Sequence, residues 1–281
     1  MERLTAISTV REILSRHGFT FSKALGQNFL INPSVCPRMA QAAVEGDNVG
    51  VIEIGPGIGV LTHELCKLAK KVVAIELDAR LIPVLRETLA EHDNLKVINA
   101  DVMELDLNRL IADEFSGMEV VVCANLPYYI TSPVIMKLLE DRLSVRSITV
   151  MVQKEAADRL TAAPGTRDSS AITVAVSYYA EAQTLFGVSA GSFMPAPKVD
   201  SAVIKLTLRT PDHAPRDEAA LFRLIKAAFA QRRKTVLNSL SSSLPLDKSA
   251  VSDILNTAGV DPALRAERLT LDDFIRIADA L

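Results

Sequence analysis

The sequence predicts an α/β fold: a mostly parallel sheet with helices between its strands, followed by a small all-helical domain. Three observations carry this. Between residues 49 and 209, short Val/Ile-rich runs alternate with helical segments. Several of those runs end in a glycine, an acid or an amide, as strands do when a sheet presents its carboxyl ends to a ligand. After a proline-containing stretch at 210–218 no strand signal remains.

The elements follow in order. Residues 1–19 read as an amphipathic helix with Leu4, Ile7, Val10 and Leu14 on one face. VGVIEIG (49–55), KKVVAIELD (70–78), LKVINAD (95–101), EVVVCAN (119–125) and SITVMVQ (147–153) are strands, with helices at 59–69 and 79–91 between the early ones. AITVAVSYYA (171–180) and SAVIKLTLR (201–209) read as two further strands. TPDHAPRDE (210–218) is a linker, so the expected domains are 1–209, with the N-terminal helix, and 210–281.

Composition narrows the function. Hydrophobic content of 49% is ample for a core, and charged content of 23% is ordinary. No apolar run approaches the roughly 20 residues of a membrane helix, and the N-terminus lacks the apolar stretch of a secretory signal. Cys36, Cys66 and Cys123 are an odd count without CxxC spacing, which argues against a disulfide framework and a zinc site; no metal and a reducing cytoplasm are expected. With no long heptad pattern, a monomer is the default. Net charge is −3, but its distribution is uneven. Residues 42–140 carry eight Lys/Arg against sixteen acids, whereas 1–41 carry five against two and 201–240 eight against three. Two basic segments flank an acidic centre, which suits phosphate contacts at the flanks.

The first strand enters EIGPGIG (53–59), with glycines at 55, 57 and 59. A dinucleotide fingerprint wants Gly or Ala at position 60, where this chain has Val60, so a dehydrogenase is disfavoured. The glycines still allow close backbone approach to a ligand, with Gly55 and Gly57 at the turn. Glu76, 21 residues after Gly55, ends the second strand and can accept both hydroxyls of a ribose. Asp101 closes the third and can accept from an exocyclic amine such as adenine N6. Together they define a Rossmann-like adenosine pocket. No lysine follows the glycines as a P-loop requires, so the ligand is not a polyphosphate, and S-adenosylmethionine fits.

NLPYYI (125–130) follows the fourth strand. The amino group of adenine is a poor nucleophile because its lone pair is delocalised into the ring. The side-chain oxygen of Asn125 and the carbonyl of Leu126, fixed by Pro127, can accept its two N–H bonds and draw the nitrogen towards sp³. Tyr128 offers a face for a flipped base. Gln27 and Tyr129 read equally well as loop residues.

These motifs resemble the ribosomal RNA adenine N6-dimethyltransferase family of the small subunit. The resemblance runs through LGQNFL (25–30), VIEIGPGIGVLT (51–62), IELD (75–78), NAD (99–101), NLPYYITSP (125–133), MVQKEAADRL (151–160), FMPAPKVDSAV (193–203) and AFAQRRKTVLNSL (228–240). It implies an S-adenosylmethionine-dependent enzyme that places two methyls on each of two adjacent adenosines in a hairpin loop near the 3′ end of small-subunit rRNA. By matching position, it implies that Asn28 and Leu30 close over the cofactor, Gly55 abuts its methionine portion, Glu76 its ribose and Asp101 its adenine. Asn125 then lies between cofactor and amine, and Phe193 is the second wall of a clamp with Tyr128. The family often carries proline at Ala196 and Tyr-Gly at Ser169–Ser170, so substrate contacts near those loops are the least constrained.

RNA is expected on the helical domain. On one helix from 221 to 240, Arg223, Lys226, Arg233 and Lys234 fall within roughly a third of the circumference, with Phe222, Ile225 and Phe229 as the core-facing stripe. Such a stripe, facing the active site, would hold phosphates. The competing readings are a large-subunit rRNA adenine methyltransferase of the macrolide-resistance type and a ribosome-assembly factor whose binding matters more than its chemistry.

Overall fold

The computed structural model describes residues 4–19, 27–211 and 213–281. Among them, seven strands form one sheet: β2 (Val49–Ile54), β3 (Lys71–Glu76), β4 (Leu95–Asn99), β5 (Glu119–Asn125), β6 (Ser147–Gln153), β7 (Ala180–Val188) and β9 (Ser201–Leu208). Their order is β4-β3-β2-β5-β6-β9-β7. The pairs from β4 to β6 are parallel, and β9 runs antiparallel to β6. A separate two-stranded ribbon pairs β1 (Phe29–Leu30) with β8 (Phe193–Met194). β2 is buried along its whole length, as its unbroken VGVIEI run requires of a strand covered on both faces.

Register places the site. Ile54 lies opposite Ile75 on one side and Ala124 on the other. The next residues along these three parallel strands, Gly55, Glu76 and Asn125, therefore emerge level at one edge of the sheet.

Helices α1 (Ile7–Arg16), α2 (Val35–Ala43), α3 (Val60–Leu68), α4 (Ile82–Thr88), α5 (Leu107–Glu114), α6 (Thr131–Glu140) and α7 (Lys154–Thr161) accompany the strands. The face of α1 differs from expectation. Val10, Ile13 and Leu14 are buried with Leu4, but Ile7 is 43% exposed. The helix starts only at Ile7, so Leu4 reaches the core from the turn ahead of it.

The run AITVAVSYYA is not a strand. Residues Ala171–Tyr179 form helix α8, and β7, polar and half-exposed, takes the sheet position instead. Ser170 caps the helix in a reciprocal capping box with Thr173, whose hydroxyl also donates to the Arg159 carbonyl. A helix buried on most sides shows no amphipathic period, so its sequence cannot be told from a buried strand.

Contacts divide the chain into two units, Met1–Ala157 with Gln183–Leu208, and Asp158–Ala182 with Arg209–Leu281. Residues 158–182 thus sort with the C-terminal helices, whereas the sequence reading kept them in 1–209. In that second unit the hydroxyls of Tyr178 and Tyr179 donate to the two carboxylate oxygens of Glu218, and Tyr179 stacks on Phe222 with centroids 5.4 Å apart. Its other helices are α9 (Glu218–Phe229), α10 (Val236–Ser243), α11 (Lys248–Thr257) and α12 (Leu271–Asp279).

The single helix expected over 221–240 is broken. α9 stops at Phe229, a turn occupies 230–234, and α10 starts anew. Thr235 is the reason: its hydroxyl accepts from the Asn238 N–H as an N-cap. The Ser239 hydroxyl then faces the Ala227 and Ala228 carbonyls at 3.0 and 2.9 Å and satisfies the end of α9. Arg223 and Lys226 remain on α9, while Arg233 and Lys234 sit in the turn. All four are exposed; Ile225 is buried, with Phe222 and Phe229 half-buried.

Candidate active site

A cavity opens at the carboxyl ends of β2, β3 and β5, within the first unit. It collects the predicted pocket residues Asn28, Leu30, Gly55, Gly57, Glu76 and Asp101 together with Asn125, Leu126, Pro127, Tyr128 and Phe193. Three carboxyls line it, those of Glu53, Glu76 and Asp101, and no Lys, Arg or His does among the described residues.

The glycine turn is shaped for close approach. Gly55 and Gly57 have φ of +71° and +61°, conformations that disfavour a side chain. The Gly57 N–H donates to Oε2 of Glu76 at 3.2 Å, and the Asp78 N–H donates to its Oε1 at 2.8 Å. Burial pushes the Glu76 carboxyl above its usual range, against the pull of these N–H donors.

The network extends to the N-terminal segment. Asp78 accepts from the Gln27 amide at 2.9 Å, and its carboxyl is held low, first by Arg80. Gln27, which reads as a loop residue in sequence, therefore ties LGQNFL to the Glu76 strand end. The first two residues of that motif lie outside the described residues. Ribbon β1–β8 fixes the rest: Leu30 pairs with Phe193, and the Ile31 N–H donates to the Ser192 carbonyl.

At the end of β5, the Leu126 N–H donates to the Met151 carbonyl at 3.3 Å, holding NLPY in register with β6. Among the described residues, no donor bonds the side chain of Asn125 or the carbonyl of Leu126. The Tyr128 hydroxyl meets Ser201 Oγ at 2.7 Å, which fixes the ring by its far end. Phe193 is 3% exposed and packs in a core cluster with Leu30, Cys36, Met39 and Met151. It forms part of the cavity wall from the core side, and among the described residues it makes no ring contact with Tyr128. Tyr129 is 54% exposed at the rim.

Glu53 has no part in the sequence reading. It is 1% exposed on β2, and its Oε2 has no hydrogen-bond partner among the described residues. Burial, with a smaller contribution from the Glu76 charge, pushes its carboxyl up to about 8. A folded-state value above the unfolded one gives stability at low pH that is lost as pH rises towards 8. Without ligand, Glu53→Gln removes this loss. The difference in unfolding free energy between variant and native chain is expected to shift by roughly 4 kcal/mol in the variant's favour between pH 4 and pH 9. Urea unfolding at both ends of the range measures it; a pH-independent difference would show that burial leaves the Glu53 carboxyl at its ordinary value.

The chain matches the ribosomal RNA adenine dimethylase family over residues 18–281. The chain belongs to this family. Among curated relatives of the dimethylase, ribosomal RNA small subunit methyltransferase A of Geobacillus sp. (strain WCH70) is 48% identical over 96% of this chain and 95% of its own. The Bacillus mycoides (strain KBAB4) protein of the same name is 46% identical over 100% and 98%. Among solved structures, a dimethyladenosine transferase from Plasmodium falciparum superposes with a TM-score of 0.71 at 29% identity, covering 89% of this chain and 95% of that one. The 23S rRNA methyltransferase ErmE gives 0.67, also at 29%, covering 90% and 99%. The fold is thus shared with a dimethyladenosine transferase and with a 23S rRNA methyltransferase. One departure from family habit finds a local role in this dimethylase: Ser170 caps α8, while Ser169 is buried beside it with its hydroxyl unbonded among the described residues. Ala196 is exposed.

Proposed function

We propose that this adenine dimethylase transfers methyl groups from S-adenosylmethionine to N6 of two adjacent adenosines in a hairpin loop near the 3′ end of small-subunit rRNA, two to each. The observation that carries the cofactor reading is the cavity lined by three carboxyls and, among the described residues, no basic side chain. That lining suits a cationic adenosine derivative without phosphates. When bound, S-adenosylmethionine supplies an activated methyl on a sulfonium.

The chain's own residues do the rest. Glu76 accepts from the ribose hydroxyls while still anchoring the glycine turn. Asp101 accepts from the adenine amine of the cofactor; its Oδ1 is already held by the Met103 N–H at 2.8 Å. Asn125 Oδ1 and the Leu126 carbonyl accept the two N–H bonds of the target amine, freeing the nitrogen lone pair. Tyr128, braced by Ser201, stacks the flipped base, and Phe193 backs the cavity. The alkylated nitrogen is acidic and loses its proton without a strong base, so orientation supplies most of the acceleration.

The small subunit is favoured by relatives that are 46–49% identical over nearly the whole chain, against 29% for the 23S enzyme. The deciding experiment is transfer of labelled methyl to small subunits lacking the modification, with large subunits and DNA run beside them and nucleosides identified by mass spectrometry. N6,N6-dimethyladenosine in small-subunit RNA alone is expected. Label in large subunits or DNA instead would overturn the substrate.

Arg223, Lys226, Arg233 and Lys234 are proposed phosphate contacts, the last two from the 230–234 turn rather than from a continuous helix. Removing two phosphate contacts is expected to flatten the slope of log affinity against log salt by about 1.5. The Arg233→Ala/Lys234→Ala variant measures this by filter binding to a hairpin RNA. An unchanged slope would remove the turn from the RNA surface.

A further inference from the structure

We propose that His63, His92 and Glu91 form a binding site for a divalent transition-metal ion of the Zn²⁺ class. Nδ1 of His63 lies 2.8 Å from Nε2 of His92. Oε1 of Glu91 lies 3.3 Å from the first and 3.8 Å from the second. At metal–ligand bonds of about 2.0–2.1 Å, the edge of a tetrahedron is about 3.3 Å. The three observed edges straddle that value, so shifts of about half an ångström would seat an ion equidistant from all three atoms.

The donor set is also apt. Two imidazoles and a carboxylate suit Zn²⁺ over the hard ions that want only oxygen. The side chains are 23%, 11% and 46% exposed, which leaves one face of the triangle open for a water as fourth ligand. Half of the chain's four histidines meet here. The proposal departs from the sequence expectation of no metal, which rests on cysteine spacing and takes no account of the histidines.

The position suggests what the ion does. His63 sits in the first turn of α3, where its N–H donates to the Gly59 carbonyl. Glu91 and His92 follow α4, whose Thr88 hydroxyl donates to the Ile58 carbonyl and whose C-terminal Leu89 packs against Gly59. The ion would clasp α3 to the end of α4, just behind the glycine turn. None of the three ligands lines the cofactor cavity, so the role is structural and independent of the proposed methyl transfer.

The test uses the untagged full chain with Zn²⁺ alone, by calorimetry and thermal unfolding, and Co²⁺ as a spectroscopic probe. One Zn²⁺ per chain, a raised midpoint and tetrahedral Co²⁺ absorption without a thiolate charge-transfer band are expected. Loss of an outer partner alone costs about 10–100-fold in metal affinity, so His63→Asn and His92→Asn should each cost more than that. Two variants guard against one failing to fold, and the midpoint of each without metal reports on folding. No binding by the native chain, equal binding by a folded variant, or a thiolate band would each overturn the assignment.

Discussion

Asn125→Ala is expected to lower the single-turnover rate of methyl transfer about 10²–10³-fold while cofactor affinity changes little, as for loss of one preorganised electrostatic partner elsewhere. The amide stands at the end of β5, level with Gly55 and Glu76, and no group of the described protein engages its side chain. Truncation therefore leaves no protein donor unsatisfied, and the backbone anchor from Leu126 to Met151 stays in place. What disappears is one of two acceptors for the target amine. With only the Leu126 carbonyl left, the nitrogen keeps more of its planar, delocalised character and attacks more slowly. Single-turnover methylation with cofactor binding measured beside it separates the two effects. A loss below tenfold would take Asn125 out of the reaction.

Glu76→Ala acts one step earlier. Hydrogen bonds to a charged group contribute about 1.5–3 kcal/mol each, so losing two ribose contacts weakens the cofactor complex about 100-fold or more. The variant also strips the acceptor from the Gly57 and Asp78 N–H groups, which loosens the turn and the link through Asp78 to Gln27. Glu76→Gln is no rescue, because its amide can satisfy only one of those two donors and turns an N–H towards the other. Because burial raises the Glu76 carboxyl, native affinity should decline as pH falls through that raised value, since the protonated acid accepts poorly. Calorimetric titration of cofactor against each variant, with circular dichroism as a folding control, gives the answer. A dissociation constant within fivefold of native would place the ribose elsewhere.

Much of the site was legible because it lies at strand ends. Continuous Val/Ile runs mark buried parallel strands, and the residue after each run falls at the ligand edge whatever the helices do. Gly55, Glu76 and Asn125 fall at that edge on this ground, and Asp101 follows two residues beyond β4. The misread elements fail for opposite physical reasons. α8 is buried on most sides and shows no helical period. β7 is an edge strand, too polar to look like one. The break before Thr235 hides in a segment whose basic and apolar positions suit a continuous helix, and a single cap decides against it. Gln27 with Asp78, and His63 with His92, are 51 and 29 residues apart, and no local spacing announces either pair.

The division of the chain also bears on how it is made. The second unit draws Asp158–Ala182 from the middle of the sequence and joins it to Arg209–Leu281. During synthesis Tyr178 and Tyr179 are complete well before Glu218 and Phe222, the residues that receive their hydroxyls and cover their rings. At about 5–20 residues per second, this wait lasts roughly two to ten seconds. In that interval α8 lacks the α9 face that covers Tyr178 and Tyr179, and nascent chains stalled between residues 182 and 218 should be the ones that chaperones and proteases find.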